Sequence, residues 1–94
     1  MYYELTINAT NAETDIWLVD ENGHLVQKAI GSLSLHVLGG SYFVVFGLHS
    51  TACCSINLSK SVVLSQAELE ILGTRPKPAI KFPGDEGYIE YDVP

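Results

Sequence analysis

The chain has 94 residues, 47% hydrophobic and 17% charged, with eleven Asp and Glu against five Lys and Arg for a net charge of −6. A chain of this size holds one core that buries roughly 60–70% of the unfolded surface, and its apolar content excludes a disordered segment. The basic residues are few and scattered, which argues against nucleic acid and anionic membranes as partners, since both are bound through clustered Lys and Arg.

The start, MYYELTINATNAETD, has neither the basic region nor the apolar run of a secretory signal, and no apolar run approaches the ~18 residues of a membrane span. The expectation is a cytoplasmic protein, unless the chain was cut from a longer secreted one. The adjacent Cys53 and Cys54 point to opposite faces of an extended strand, which makes them poor disulfide partners for each other. Two isolated thiols fit a reducing compartment, with Cys54 in the core and Cys53 turned outward.

In chain order, period-two alternation dominates the first two thirds and predicts half-buried strands. In YYELTIN, Tyr3, Leu5 and Ile7 share one face, and Glu4, Thr6 and Asn8 the other. After a turn-like NATNAE, the segment TDIWLVD is apolar on both faces at its centre, as an interior strand would be. Asn22-Gly23 suits a type I′ hairpin turn, so Ile16 to Asp20 is expected to pair antiparallel with His24 to Ile30. SLSLHV places Leu33, Leu35 and Val37 inward with Ser34 and His36 outward.

Gly39-Gly40 then forms a hinge from this edge-like strand into a central one, on which Tyr42, Val44 and Phe46 face opposite to Phe43 and Val45 and both faces are buried. TACCSINL and SVVL follow as further strands, and turn signals recur at the rhythm of a β-sandwich or barrel. SQAELEILG fits two readings. Ser65 and Glu68 make a capping box with Gly73 as a helix stop, while Ala67, Leu69 and Ile71 alternate as in a strand; the β surroundings favour the strand. TRPKP is a stiff connector, and AIKF and YIEYDV flank a glycine-rich turn as a C-terminal hairpin.

The fold class is therefore all-β, a small antiparallel β-sandwich with at most one short helix. Residues 1–73 form the sandwich. Residues 74–94 form the connector and hairpin, which either belong to the same domain or dock a partner.

The Leu38-x-Gly40-x-Tyr42-x-Val44 run, preceded by an alternating strand and the hairpin VDENGHLV, resembles the small prealbumin-like (immunoglobulin-like) β-sandwich modules of the PEGA and carboxypeptidase-regulatory types, over roughly residues 14–64. The Pro-Glu-Gly-Ala signature is absent, and Gly47-Leu48 replaces the usual glycine-aromatic pair. The resemblance implies a non-catalytic accessory module and carries over no active-site residues.

A catalytic reading needs a base and a nucleophile converging on a pocket. His24 lies by a hairpin turn, His36 on an outward face and His49 in a loop; only spatial convergence of His49 with Cys53 or Cys54 would make a nucleophilic pair. Those residues match no usual zinc spacing. Asp20-Glu21-Asn22-Gly23 is too short for a calcium loop, and Gly39-Gly40 precedes a strand rather than the helix a phosphate cradle needs. No enzyme activity, cofactor or metal is expected, and the acidic cluster Asp85, Glu86, Glu90 and Asp92 is read as a solvated hairpin.

The expected function is a protein-interaction or structural accessory module, with a protein partner or self-association. It would act through sheet edges and through the C-terminal segment, where Tyr88, Tyr91, Asp85, Glu86 and Glu90 are the candidate partner-binding residues. Tyr2 and Trp17 are further aromatic candidates, Trp17 being the better fit to the core. The alternative is a ligand-binding sandwich that takes carbohydrate on exposed aromatic faces.

Overall fold

The computed structural model describes residues 1–47, 50–77 and 80. Two sheets face each other. A three-stranded sheet in the order β4-β1-β7 contains β1 (Tyr2–Asn8), β4 (Ser32–Leu38) and β7 (Val62–Ser65). A five-stranded sheet in the order β3-β2-β5-β6-β8 contains β2 (Asp15–Asp20), β3 (Leu25–Ile30), β5 (Gly40–Phe46), β6 (Ala52–Leu58) and the two-residue β8 (Arg75–Pro76). The protein is an all-β sandwich, with one short helix, α1 (Gln66–Ile71), among the described residues.

The core follows from alternation. Leu5 and Ile7 of β1 and Leu33 and Val37 of β4 meet Ile16 and Leu18 of β2, Tyr42 and Val44 of β5, and Cys54, Ile56 and Leu58 of β6. The outer face of the smaller sheet is a ladder of polar cross-strand pairs: Glu4 opposite His36, Thr6 opposite Ser34 and Asn8 opposite Ser32. Thr6 and Ser34 share a hydroxyl–hydroxyl hydrogen bond, and Ser32 donates to Asn8 Oδ1.

Two of the connections that cross between the sheets turn on glycine. Gly31 carries β3 into β4, and the Gly39-Gly40 hinge carries β4, an edge strand, into the central β5. Gly40 takes a left-handed φ of 148°, and a Cβ on Gly39 would lie 2.8 Å from Tyr3 Cε2 and 3.0 Å from the Leu58 carbonyl oxygen. Both positions therefore require glycine, one for its backbone angle and the other for space.

Three expectations are corrected. The segment after Ser65 is a helix: Ser65 Oγ accepts from the Glu68 N–H and donates to Glu68 Oε1, and the Gly73 N–H closes on the Glu70 carbonyl. Of the apolar residues that alternate there, only Leu69 is buried, plugging the open side between β7 and β6.

The β2–β3 hairpin is not type I′, because Gly23 alone in the turn has positive φ. Asp20 Oδ1 accepts from the N–H groups of Asn22 and His24, and the Asp20 carbonyl accepts from Gly23, which stabilises a type I-like turn ending in a left-handed glycine.

Cys53 is not turned to solvent. It does point away from Cys54, but it is only 2% exposed, with its Sγ 3.6 Å from the Pro76 carbonyl oxygen. The sheets are mostly antiparallel, as expected, with one parallel pair among the described strands: β7 runs beside β1, Leu5 opposite Val62. The expected C-terminal hairpin lies outside the described residues.

Candidate interaction surface

β3 is the outermost strand at one end of the larger sheet, and β2 is its only strand partner among the described residues. The Gly31 N–H donates to the Thr14 carbonyl at 2.8 Å. By the alternation of an antiparallel ladder, the main-chain groups of Ala29 and Gln27 then face β2, and those of Lys28 and Ile30 face outward. This edge, which no other strand among the described residues pairs, thus offers regularly spaced donors and acceptors, with Ile30 67% exposed beside them. Unpaired backbone of this kind is what an added strand recognises.

Next to this edge is a depression of about 460 Å³ lined by Asp15, Trp17, Lys28, Ala29 and Ile30. Trp17 does not belong to the inter-sheet core; it stands half-buried on the opposite face of β2 from Ile16 and Leu18. The Lys77 ammonium lies 5.3 Å from the centroid of its ring, a cation–π distance.

The titratable groups do not assemble into a catalytic constellation among the described residues. His24 is buried, with Nδ1 3.6 Å from Asp20 Oδ2 in its own hairpin, and its main-chain N–H donates to Asp20 Oδ1 within the turn. His36 is exposed and 3.7 Å from Glu4. Burial pushes the Cys53 and Cys54 thiols up; for Cys53 the Arg75 guanidinium partly offsets this, and for Cys54 the Glu70 carboxylate adds to it. Both shifts disfavour the nucleophilic thiolate. His49, which would have to complete a Cys–His pair, lies outside the described residues.

Among the described residues no group of three or more His, Cys, Asp or Glu is placed to hold a metal ion, and no helix is long and apolar enough to cross a membrane. The candidate partner-binding residues Asp85, Glu86, Tyr88, Glu90 and Tyr91 all lie outside the described residues. Tyr2 is 59% exposed and pairs across the smaller sheet with the half-exposed Leu38. The β3 edge itself was missed in the sequence reading, although Lys28 within the strand is the kind of residue that protects an edge. No protein-family model, curated protein or solved structure matches the chain.

Proposed function

We propose that the protein is a non-catalytic interaction module, of the accessory kind that the prealbumin-like resemblance implies, and that it associates with a protein strand through its sheet edges. The observation that carries this reading is the outward main chain of Lys28 and Ile30 on β3, set beside an exposed isoleucine and a shallow depression. Main-chain hydrogen bonds supply affinity in strand addition, and the neighbouring depression offers a place for a side chain of the incoming strand. A second copy of the chain, with the same edge, is the simplest partner.

The carbohydrate alternative has less support. A sugar would stack on an aromatic face, and the Lys77 ammonium already lies over the Trp17 ring. The C-terminal segment, the other expected contact, lies almost wholly outside the described residues.

The test is Lys28→Pro, which removes an outward N–H and leaves the bonds to β2 in place, with Lys28→Thr as the control that keeps the donor. Light scattering across a concentration series should show wild-type and Lys28→Thr chains associating and Lys28→Pro monomeric with an unchanged circular dichroism spectrum. Equal association of both variants, or a wild-type chain that stays monomeric at every concentration, overturns edge-mediated self-association.

A further inference from the structure

Of the four asparagines, Asn8 and Asn11 precede alanine, Asn57 precedes leucine and Asn22 precedes Gly23. That order matters chemically. The main-chain nitrogen after an asparagine can attack the side-chain amide carbon and close a five-membered imide, and glycine leaves that nitrogen with no side chain in the way. Asn8 and Asn11 are tied besides: Asn8 Oδ1 accepts from the Ser32 hydroxyl, and Asn11 Oδ1 accepts from the Glu13 N–H. Asn22 stands exposed in the turn between β2 and β3.

This turn hangs on one residue. Asp20 Oδ1 accepts from the Asn22 and His24 N–H groups, each at 2.9 Å, and the Asp20 carbonyl accepts from the Gly23 N–H at 3.0 Å. Three consecutive N–H groups converge on Asp20, and the middle one belongs to the nitrogen that would attack. While that N–H is donated to a carbonyl, the nitrogen is held away from the Asn22 amide carbon. The geometry that forms the hairpin therefore also restrains the reaction.

We propose that Asn22 is a self-modification site, converted by deamidation to aspartate and isoaspartate, and that Asp20 is the latch that sets its rate. When the turn opens, the Gly23 nitrogen bonds to the Asn22 side-chain carbon, and the amide nitrogen leaves as ammonia carrying the Gly23 proton. One water then opens the imide. Breaking the bond to the side-chain carbon leaves aspartate; breaking the bond to the main-chain carbon leaves isoaspartate, with the chain routed through the former side chain.

Either product adds a carboxylate beside Asp20 and Glu21, in a chain whose net charge is already −6. Isoaspartate also adds one carbon to the main chain between positions 22 and 23, so the Gly23 and His24 N–H groups can no longer both meet Asp20. The conversion runs one way and opens the hairpin just ahead of β3, where Leu25 pairs with Val19 beside a register shift. The chemistry stands whether or not the β3 edge takes a partner.

The test incubates the purified full chain at pH 8 and maps its asparagine peptides by mass and by chromatography that separates the two acids. Asn22 should convert, and Asn8, Asn11 and Asn57 should not. Asp20→Ala removes the carboxylate acceptor and should raise the rate about tenfold or more, the scale set by losing hydrogen bonds to a charged group. Asp20→Asn, which keeps a side-chain oxygen at that position, should stay near wild type. Leu69→Ala lowers global stability with the turn intact, and so separates local from global opening. Equal rates in wild type and Asp20→Ala, or an equal rise in Leu69→Ala, overturn the latch; an Asn22 that stays unconverted in Asp20→Ala overturns the site.

Amide exchange reads the structural consequence. In the isolated isoaspartate form the His24 N–H should exchange about tenfold faster or more than in the unconverted chain, while Val44 on β5 keeps its protection. Equal His24 exchange in the two forms overturns the opening of the turn.

Discussion

The Tyr42 hydroxyl donates to the carbonyl oxygen of Leu38, four residues earlier and across the Gly39-Gly40 hinge. The bond ties the end of β4 to the start of β5, so one side chain both fills the core and fixes the angle at which the chain passes between sheets. Burial and the nearby Asp20 carboxylate push the Tyr42 phenol up, which keeps it a donor.

Tyr42→Phe should lose this hydrogen bond at a cost of about 1 kcal/mol, and Tyr42→Ala should cost about 3–5 kcal/mol for the lost buried ring. Urea denaturation distinguishes the two; equal, small effects would place Tyr42 outside the load of the core.

Gly31→Ala should be destabilising by at least about 1–3 kcal/mol. Gly31 has φ of 77°, and its added Cβ would lie 2.5 Å from the Ala12 carbonyl oxygen, a backbone atom with little room to move. A melting temperature equal to wild type would show that this corner relaxes freely.

In α1, Leu69→Ala should cost about 2–5 kcal/mol, while Ile71→Ala, at a position 83% exposed, should stay within about 0.5 kcal/mol of wild type. Ser65→Ala removes the helix cap and should cost about 1 kcal/mol. Thermal melts should place Leu69→Ala lowest, Ser65→Ala next and Ile71→Ala nearest wild type.

Stability should fall as pH rises above the ordinary thiol value of 9.0. Burial raises the Cys53 and Cys54 pKa values in the folded state, so the unfolded chain releases its protons first and gains on the folded one. Below the unfolded value the contribution is fully present, and it is lost as pH climbs toward the folded values. Tyr42 adds to the decline from about its ordinary 10.0 upward. Melts from pH 8 to 10.5 check this, and the decline should be shallower in a chain carrying Cys53→Ala and Cys54→Ala.

Local alternation made much of this fold legible. Leu5 and Ile7, or Leu33 and Val37, declare their inner face because polar residues separate them, and the doubly apolar FVVF marks β5 as central. Alternation says which way a side chain points but not what lies above it, and that is why Cys53 was read as outward.

Pairing partners are equally absent from a local pattern. SVVL looks the same whether it joins β1 in parallel or another strand in antiparallel. In SQAELEILG the strand-like alternation of Ala67, Leu69 and Ile71 competes with a capping box at Ser65 and Glu68, and the reciprocal Ser65–Glu68 bonds decide for the helix. The β3 edge was the least legible part, because being an edge is a property of what the other described strands leave unpaired.

The placement of β1 between β4 and β7 has a consequence for how the molecule comes to exist. Its first strand is synthesised before either neighbour, and the parallel register of Leu5 with Val62 cannot form until most of the chain has been made. The β2–β3 hairpin and the β5–β6 pair close over short loops and can form early; the smaller sheet has to wait, with Leu5 and Ile7 uncovered meanwhile. Such long-range closure is slow, so folding should fall in the millisecond-to-second range typical of β-sandwiches, and the emerging chain is most prone to aggregate in the interval before β7 arrives.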